Sequence, residues 1–130
     1  MPKEPTLSSL KAKLQKVFNA FIRKRDTING QYFICISCQE RKPLDQMNAG
    51  HYHAAGNNEA VRYDEINTNG QCIKCNKFLH GNLLEYRKGL IAKVGQKAVD
   101  DLDIKRHNLS KMHKFEIQYL IDLYTKKLKE

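Results

Sequence analysis

Four cysteines are the residues whose spacing indicates chemistry most directly. They form two pairs, Cys35 with Cys38 and Cys72 with Cys75; each pair has two residues between its thiols, and 33 residues separate the pairs. Two such turns present four thiolates to one ion, as tetrahedral Zn²⁺ prefers, whereas disulfides are rare in a reducing compartment. We therefore predict a zinc site closed by four sulfurs, which makes this zinc structural and leaves any catalysis to another centre.

Polar residues suited to phosphodiester hydrolysis lie between and just after the cysteine pairs. His51 falls on a predicted strand, Asn67 in a turn-rich loop, and Asn76 directly after Cys75. A neutral imidazole can take a proton from water near pH 7, and an amide oxygen suits Mg²⁺ or Mn²⁺, whose other ligands are water and phosphate oxygens. We predict His51 as general base and Asn76 as metal ligand. Asn67 would orient the loop or hydrogen-bond His51.

The order of these residues is that of the HNH, or ββα-metal, nuclease motif, in which a β-hairpin carries a histidine and the next helix carries metal ligands. Each residue also has a structural interpretation. His51 would be a hydrogen-bonded core histidine, Asn76 a helix cap and Asn67 a turn residue.

Gly50 departs from that motif, because many HNH sites have an Asp or His metal ligand directly before the base. His53 is one replacement, since alternate residues of a strand share a face and His53 would then lie beside His51. The other candidate ligands are His80 and Glu85 from the side of the following helix, and Asp64 and Glu65 from the loop. Among all of them, His53 and His80 rank first.

Three sequence blocks resemble the phage NinG (Rap) recombination endonucleases, a lambdoid family. They are CISC, AGHYHAAGNNEAVRYDEINTNGQCIKCN and HGNLLEYRKGLIAKVGQ, and the resemblance covers roughly residues 18–102. The order of the motifs is also similar to the endonuclease VII type of Holliday-junction resolvase. The resemblance implies a structure-selective endonuclease that cleaves branched DNA, such as four-way junctions and D-loops, in phage recombination. It also implies a homodimer in the cytoplasm of a bacterial host, with other phage recombination proteins as further partners.

Helical periodicity predicts the elements that must position these residues. The first amphipathic helix begins at a Ser8 or Ser9 cap and ends near Arg25. The second helix carries Leu83 to Val94, with Asn82 as cap and Gly95 as stop, and a short segment with Val99 and Leu102 follows. The last helix runs from about Lys114 to Lys129, and its wide apolar stripe would pack on the core or partly serve a second subunit, with the core favoured.

Short strands are predicted at Gln31 to Ile36, Ala49 to His53 and Ala60 to Tyr63. The fold class is therefore α+β and mostly helical, with a zinc-stapled β-hairpin and helix flanked by N- and C-terminal helices. We predict a single domain over residues 1–130. It comprises a basic amphipathic helix at 8–26, a ββα core at 31–95 and a helical extension at 96–130.

Charge supports a polyanionic partner. The 130 residues carry 23 Lys and Arg against 14 Asp and Glu, a net charge of +9, and such a surplus favours nucleic acid. No apolar run of membrane-spanning length and no apolar signal segment occurs in the sequence, so we expect no membrane partner and a cytoplasmic protein. The residues predicted to contact DNA, which otherwise form a solvated surface, are Lys11, Lys16, Arg23, Lys24, Arg62, Lys77, Arg87 and Lys88.

Two functions from different classes follow from these residues. The first is a metal-dependent endonuclease with zinc as scaffold, a separate Mg²⁺ or Mn²⁺ as cofactor and His51 as base. The second is a non-catalytic, zinc-stabilised DNA- or RNA-binding module in which the histidines are structural. The endonuclease should cleave DNA only with a divalent ion, and His51→Ala should abolish that cleavage. The binding module should not cleave DNA at all.

Overall fold

The structure is a computed structural model, and it describes residues 4–130. It has four α-helices and two small antiparallel hairpins within these residues, so the predicted α+β class is confirmed. No helix in this part of the chain has the length and apolar character needed to cross a bilayer. The elements are α1 (Leu7–Asp26), β1 (Tyr32–Ile34), β2 (Arg41–Pro43), β3 (Met47–His51), β4 (Thr68–Cys72), α2 (Leu83–Val94), α3 (Gln96–Lys105) and α4 (Lys114–Lys129).

The first and last helices pack against each other and form one core. Leu10, Leu14, Phe18 and Ile22 recur at helical spacing on α1, so they share one face, and this face is buried against α4. The rings of Phe18 and Tyr124 meet edge to face with centroids 5.0 Å apart. The centre of the α4 stripe, with Ile117, Ile121 and Tyr124, therefore packs on the core, in agreement with the favoured interpretation, whereas Phe115 and Tyr119 at its side are exposed.

The N-terminal boundary of α1 differs from the predicted one. Thr6, not Ser8 or Ser9, caps the helix, because its Oγ1 accepts a hydrogen bond of 3.0 Å from the Ser9 amide. Both serines lie inside the first turn. A run of three hydroxyl residues near a helix start does not by itself show which one is the cap.

The central hairpin joins β3 and β4, with Gly50 opposite Asn69 and His51 opposite Thr68. Strand β4 has the sequence TNGQC, which indicates a turn, yet all five residues are buried. The predicted strand at Ala60 to Tyr63 is wrong, because Glu59–Val61 forms a single 3-10 turn. The hairpin partner of β3 therefore lies closer to the second cysteine pair than the β-forming residues suggested.

Helix α2 packs beside this hairpin and forms a second core with α3. Tyr86 is fully buried, and its hydroxyl donates a hydrogen bond of 2.6 Å to the carbonyl of Gly50. Val99 and Leu102 of α3 are buried against Leu90 of α2. Gly95 ends α2 with a φ of 92°, as predicted, because an L-residue would be strained there.

Candidate metal centre and candidate active site

The four cysteines meet at the junction of the two hairpins. Their sulfur atoms all lie within 4.8 Å of one another, and those of Cys38 and Cys72 are 3.9 Å apart. A tetrahedral zinc with Zn–S bonds of about 2.3 Å needs sulfurs about 3.8 Å apart. The predicted pairs therefore form a cluster that can hold a metal such as zinc, and they are the one His, Cys, Asp or Glu cluster of this kind within residues 4–130.

Backbone amides point at these sulfurs, as expected where thiolates must be stabilised. The amide of Cys72 donates to Cys35 Sγ at 3.3 Å, and the amide of Cys75 donates to Cys72 Sγ at 3.5 Å. Burial opposes the charge of Cys35, but the amide donors outweigh it and lower the pKa of this thiol. Burial raises the pKa of Cys38, Cys72 and Cys75. A zinc ion would offset that penalty, because Zn²⁺ binds thiolates strongly.

A cavity of about 310 Å³ lies next to the cysteine cluster. It brings together three residues that the sequence suggested for the active site: His51 from the end of β3, Asn76 from the π-helical turn Lys74–Phe78, and His80 from the loop before α2. Asn76 directly follows the metal-cluster residue Cys75, so the cluster fixes its position. The remaining lining residues are small or apolar: Ala49, Tyr52, Ala54, Gly81 and Leu83.

His51 has the contacts expected of a general base. Its Nε2 lies 2.8 Å from the carbonyl oxygen of Arg62, and because a carbonyl only accepts, Nε2 carries the proton. The neutral ring then has its lone pair on Nδ1. Burial lowers the pKa of His51 below its usual value near 6.5, so the ring is neutral at pH 7.

The carbonyl that holds His51 is itself held by the first helix. The Arg62 side chain donates a hydrogen bond of 2.9 Å to Oε1 of Gln15 on α1 and pairs with Glu59 at 3.6 Å. Arg62 therefore acts in this site through its backbone, although the sequence suggested it only as a DNA contact.

The loop that carries His80 is tightly bonded to the cysteine cluster. The Gly81 amide donates to the carbonyls of Cys75 at 2.9 Å and Asn76 at 3.1 Å. Asn82 is the residue before α2, as predicted, but its side chain donates to Cys75 Sγ at 3.5 Å instead of capping the helix. His80 has a φ of 51°, a left-handed conformation that turns the chain sharply, and its side chain is exposed.

Gln71 explains why the residue before His51 is glycine. A Cβ at Gly50 would collide with Gln71 Oε1, so the space that a metal ligand would need is already filled. Gln71 is fully buried, and its Nε2 donates to Ser37 Oγ at 2.8 Å and to the Gly81 carbonyl at 2.6 Å. It thereby links β4, the first cysteine turn and the His80 loop. Sequence reasoning missed this residue, and its neighbours gave no signal for it.

His53 does not join the cavity. Strand β3 ends at His51 and the chain bends, so the alternation that would place His53 beside His51 no longer holds. The ring of His53 lies 2.9 Å from Asp103 Oδ1 and 3.2 Å from an Arg106 nitrogen, both C-terminal to α2. Burial lowers the pKa of His53 although its ring donates a hydrogen bond to the Asp103 carboxylate, which acts in the opposite direction.

Asn67 has contacts with the loop and none with the His51 ring. Its Oδ1 accepts from the His53 amide at 2.8 Å, and its Nδ2 donates to the carbonyls of His53 at 3.0 Å and Val61 at 3.1 Å. Of the two roles that the sequence left open for Asn67, these contacts match loop orientation.

The remaining acidic candidates are engaged elsewhere. Glu85 pairs with Lys88 at 3.1 Å on the outer face of α2 and does not line the cavity. Asp64 pairs with Lys105 at 2.7 Å. Glu65 accepts from the Tyr124 hydroxyl at 3.0 Å, on the side of α4.

The basic residues suggested as DNA contacts fall into two groups. Lys16, Arg23 and Lys77 are exposed and form no ion pair within residues 4–130. Five have partners inside the protein: Lys11 with Glu59, Lys24 with the carbonyls of Leu128 and Glu130, Arg62 with Gln15, Arg87 with Asp103, and Lys88 with Glu85.

Arg25, near the predicted end of the first helix, is by contrast a structural residue. It pairs with Asp26 at 2.8 Å and donates to the carbonyls of Glu65 at 2.8 Å and Thr68 at 2.9 Å. Asp26 in turn accepts from the Gly70 amide at 2.7 Å. Burial works against ionisation of Asp26, but Arg25 and the Gly70 amide outweigh it and lower its pKa. The end of α1 is thus tied to β4.

Comparison with known proteins adds a family. The family described as Bacteriophage Lambda NinG protein matches residues 4–130. The chain is similar to Protein ninG of Escherichia phage 933W, with 38% identity over 116 residues, which are 89% of this chain and 55% of that protein. It is similar to Protein ninG of Escherichia phage lambda at 37% identity, covering 89% of this chain and 54% of that protein.

Protein ninG of Salmonella phage P22 is 42% identical over 95 residues, which are 72% of this chain and 44% of that protein. The chain therefore spans about half the length of the curated relatives it matches. No solved structure matches it.

Proposed function

The chain belongs to the Bacteriophage Lambda NinG protein family, and from that premise we propose that it is a metal-dependent endonuclease that cleaves branched DNA recombination intermediates. The observation that carries the proposal is the cavity that holds His51, Asn76 and His80 together. It combines a neutral imidazole with two side chains able to bind a divalent ion. The sequence resemblance supplies the branched substrate.

His51 is the general base of this proposal. With Nε2 held by the Arg62 carbonyl, Nδ1 accepts the proton of the attacking water. The peptide carbonyl also stabilises the imidazolium that results, because positive charge strengthens the hydrogen bond. The lowered pKa of His51 keeps the ring in its basic form at pH 7.

Asn76 and His80 are the proposed ligands of the catalytic ion. A divalent ion there would polarise the scissile phosphate and stabilise the leaving oxygen. Two protein ligands suit an ion that keeps several waters. Because the set contains an imidazole and no carboxylate, we expect Mn²⁺ to support faster cleavage than Mg²⁺. The cysteine cluster serves as scaffold, since its four sulfurs leave no open position.

A symmetric four-way junction has two strands to cut, so we also propose that the active form is a homodimer. Light scattering of the full chain, alone and with a junction, tests this part separately. A monomeric protein that makes paired cuts at one junction would contradict it.

The experiment compares a labelled four-way junction with a linear duplex of the same arms, incubated with Mn²⁺, with Mg²⁺ and without added metal. We expect metal-dependent cleavage of the junction, and a loss of roughly 10²- to 10⁴-fold in rate for His51→Ala, the usual contribution of a general base. His107→Ala is the matched control, because His107 is exposed and lies outside the cavity. Binding without cleavage under every metal would contradict the nuclease and favour the zinc-stabilised binding module.

A further inference from the structure

A short turn beside the cavity exposes large apolar side chains. In this segment, which we call the 78–84 turn, Phe78 and Leu84 are each 73% exposed, Leu79 is 45% exposed and Leu83 is 47% exposed. Single exposed apolar residues are ordinary, but several within seven consecutive residues mark an interaction surface.

The 78–84 turn is held in place from beneath. The Leu79 amide donates to the Lys74 carbonyl at 2.9 Å, and the Asn82 amide donates to the Leu79 carbonyl at 2.8 Å. Asn82 also donates to Cys75 Sγ at 3.5 Å, so the cysteine cluster anchors the turn directly. The apolar side chains therefore project from a fixed support, which lowers the entropic cost of binding a partner.

The 78–84 turn is also continuous with the candidate active site. His80, Gly81 and Leu83 belong to the turn and line the cavity. Two exposed lysines, Lys74 and Lys77, lie in the π-helical turn that ends at Phe78. The turn thus lines the proposed phosphate-cleaving cavity through His80, Gly81 and Leu83 and follows the two lysines in the chain.

We propose that the 78–84 turn contacts the exposed base faces of branched nucleic acid while the cavity holds the neighbouring phosphodiester. This inference deepens the proposed function and rests on it. In an intact duplex each base face is covered by its neighbour, whereas a branch point exposes base faces and unstacks easily. Apolar side chains that insert at base steps, and aromatic rings that stack on single bases, bind such sites irrespective of sequence. The flanking lysines supply the matching charge.

Two other exposed apolar side chains of the protein provide a matched control. Phe115 of α4 is 73% exposed and Ile104 of α3 is 70% exposed, close to the values of Phe78 and Leu84. Neither residue lines the cavity. The two pairs of side chains therefore differ in location while their exposure is nearly the same.

The test is a binding experiment that requires no cleavage. The zinc-loaded chain of 130 residues is titrated, without Mg²⁺ or Mn²⁺, against a four-way junction carrying 2-aminopurine at the branch and against a linear duplex. We expect the wild type to prefer the junction and to change the 2-aminopurine fluorescence. We expect Phe78→Ala/Leu84→Ala to lose this change and at least about tenfold of the preference, because the loss of a base-stacking side chain weakens binding by about that factor. Ile104→Ala/Phe115→Ala should bind as wild type does.

The outcomes separate this inference from the proposed function. Junction preference in a protein that cleaves nothing would refute the nuclease and leave the role of the 78–84 turn intact. Equal preference in Phe78→Ala/Leu84→Ala and wild type would refute that role, whatever the cleavage activity. A change in oligomeric mass, or in binding to anionic lipid vesicles, with junction preference unchanged would assign the turn to a protein or a membrane and would equally overturn it. Zinc content and circular dichroism confirm that each variant is folded.

Discussion

The cysteine cluster and the cavity beside it are adjacent in the chain, since Cys75 is followed directly by Asn76, but they differ in construction. The cluster is closed, and three of its four cysteines are buried beneath the two hairpins. The cavity is open, and its polar residues come from three separate elements. A closed metal centre that includes Cys75 can thus fix the position of the next residue, Asn76, without taking part in the chemistry of the cavity.

This difference predicts that substitutions in the two regions separate folding from activity. Changes in the cluster should act on the free energy of unfolding, and activity should fall only because the fold is lost. Changes in the cavity should act on cleavage while the fold remains. Residues that support the cavity from beneath should affect both.

Cys72→Ser should have the largest effect, because it removes one of four zinc ligands from a buried site. Zinc binding contributes roughly 10–16 kcal/mol to folding in small zinc modules, which is comparable to the roughly 5–15 kcal/mol stability of a typical domain. We expect loss of bound zinc and of cooperative thermal unfolding, measured by metal analysis and circular dichroism. A folded Cys72→Ser protein that retains one zinc per chain would refute the four-thiolate site.

Asn67→Ala should lower the free energy of unfolding, but by less than Cys72→Ser does. It removes three hydrogen bonds from a fully buried side chain and leaves the backbone groups of His53 and Val61 without these partners. We expect the free energy of unfolding to fall by roughly 2–5 kcal/mol in urea, because each orphaned buried group costs about 1–3 kcal/mol. The exposed Asn57, changed to Ala, is the control and should shift stability by less than about 0.5 kcal/mol. A loss as small as that of the control would show that Asn67 does not hold the loop.

At saturating metal, the pH dependence of cleavage should report the protonation of His51. A base must be deprotonated, and burial lowers the pKa of His51 below 6.5. At saturating metal the rate should therefore rise about tenfold per pH unit in the acid range and level off before pH 7. The free energy of unfolding should change with pH in the same direction. Because the unfolded state binds a proton at His51 more strongly than the folded state does, the contribution of His51 to stability falls as pH decreases through about 6.5. An inflection above pH 7 would contradict the assignment of His51 as the base.

Glu85→Gln should have the smallest effect, and it tests whether Glu85 is a ligand of the catalytic ion. Glu85 pairs with Lys88 on the surface of α2, and such pairs contribute about 0.3–0.5 kcal/mol. We expect that loss in chemical denaturation and a cleavage rate within about twofold of wild type. A drop of tenfold or more would place Glu85 among the ligands of the catalytic ion.

The features that depend on neighbouring residues could be predicted from the sequence. The CxxC spacing within each turn indicated the cysteine cluster, and apolar residues at intervals of three and four placed α1, α2 and α4 within one or two residues. The position of His51 on a strand and of Asn76 beside Cys75 followed in the same way, although their catalytic role stays a prediction.

The features that depend on distant partners became visible only in the folded chain. Strand β4 forms because its polar residues find buried partners, such as Asp26 for the Gly70 amide and Ser37 for Gln71, which lie far away in the chain. The same holds for His53, which the sequence placed beside His51 but which α3 engages through Asp103. Periodicity records which face of an element is apolar, whereas a buried polar residue is stabilised by one particular partner, and that partner is fixed only when the chain has folded.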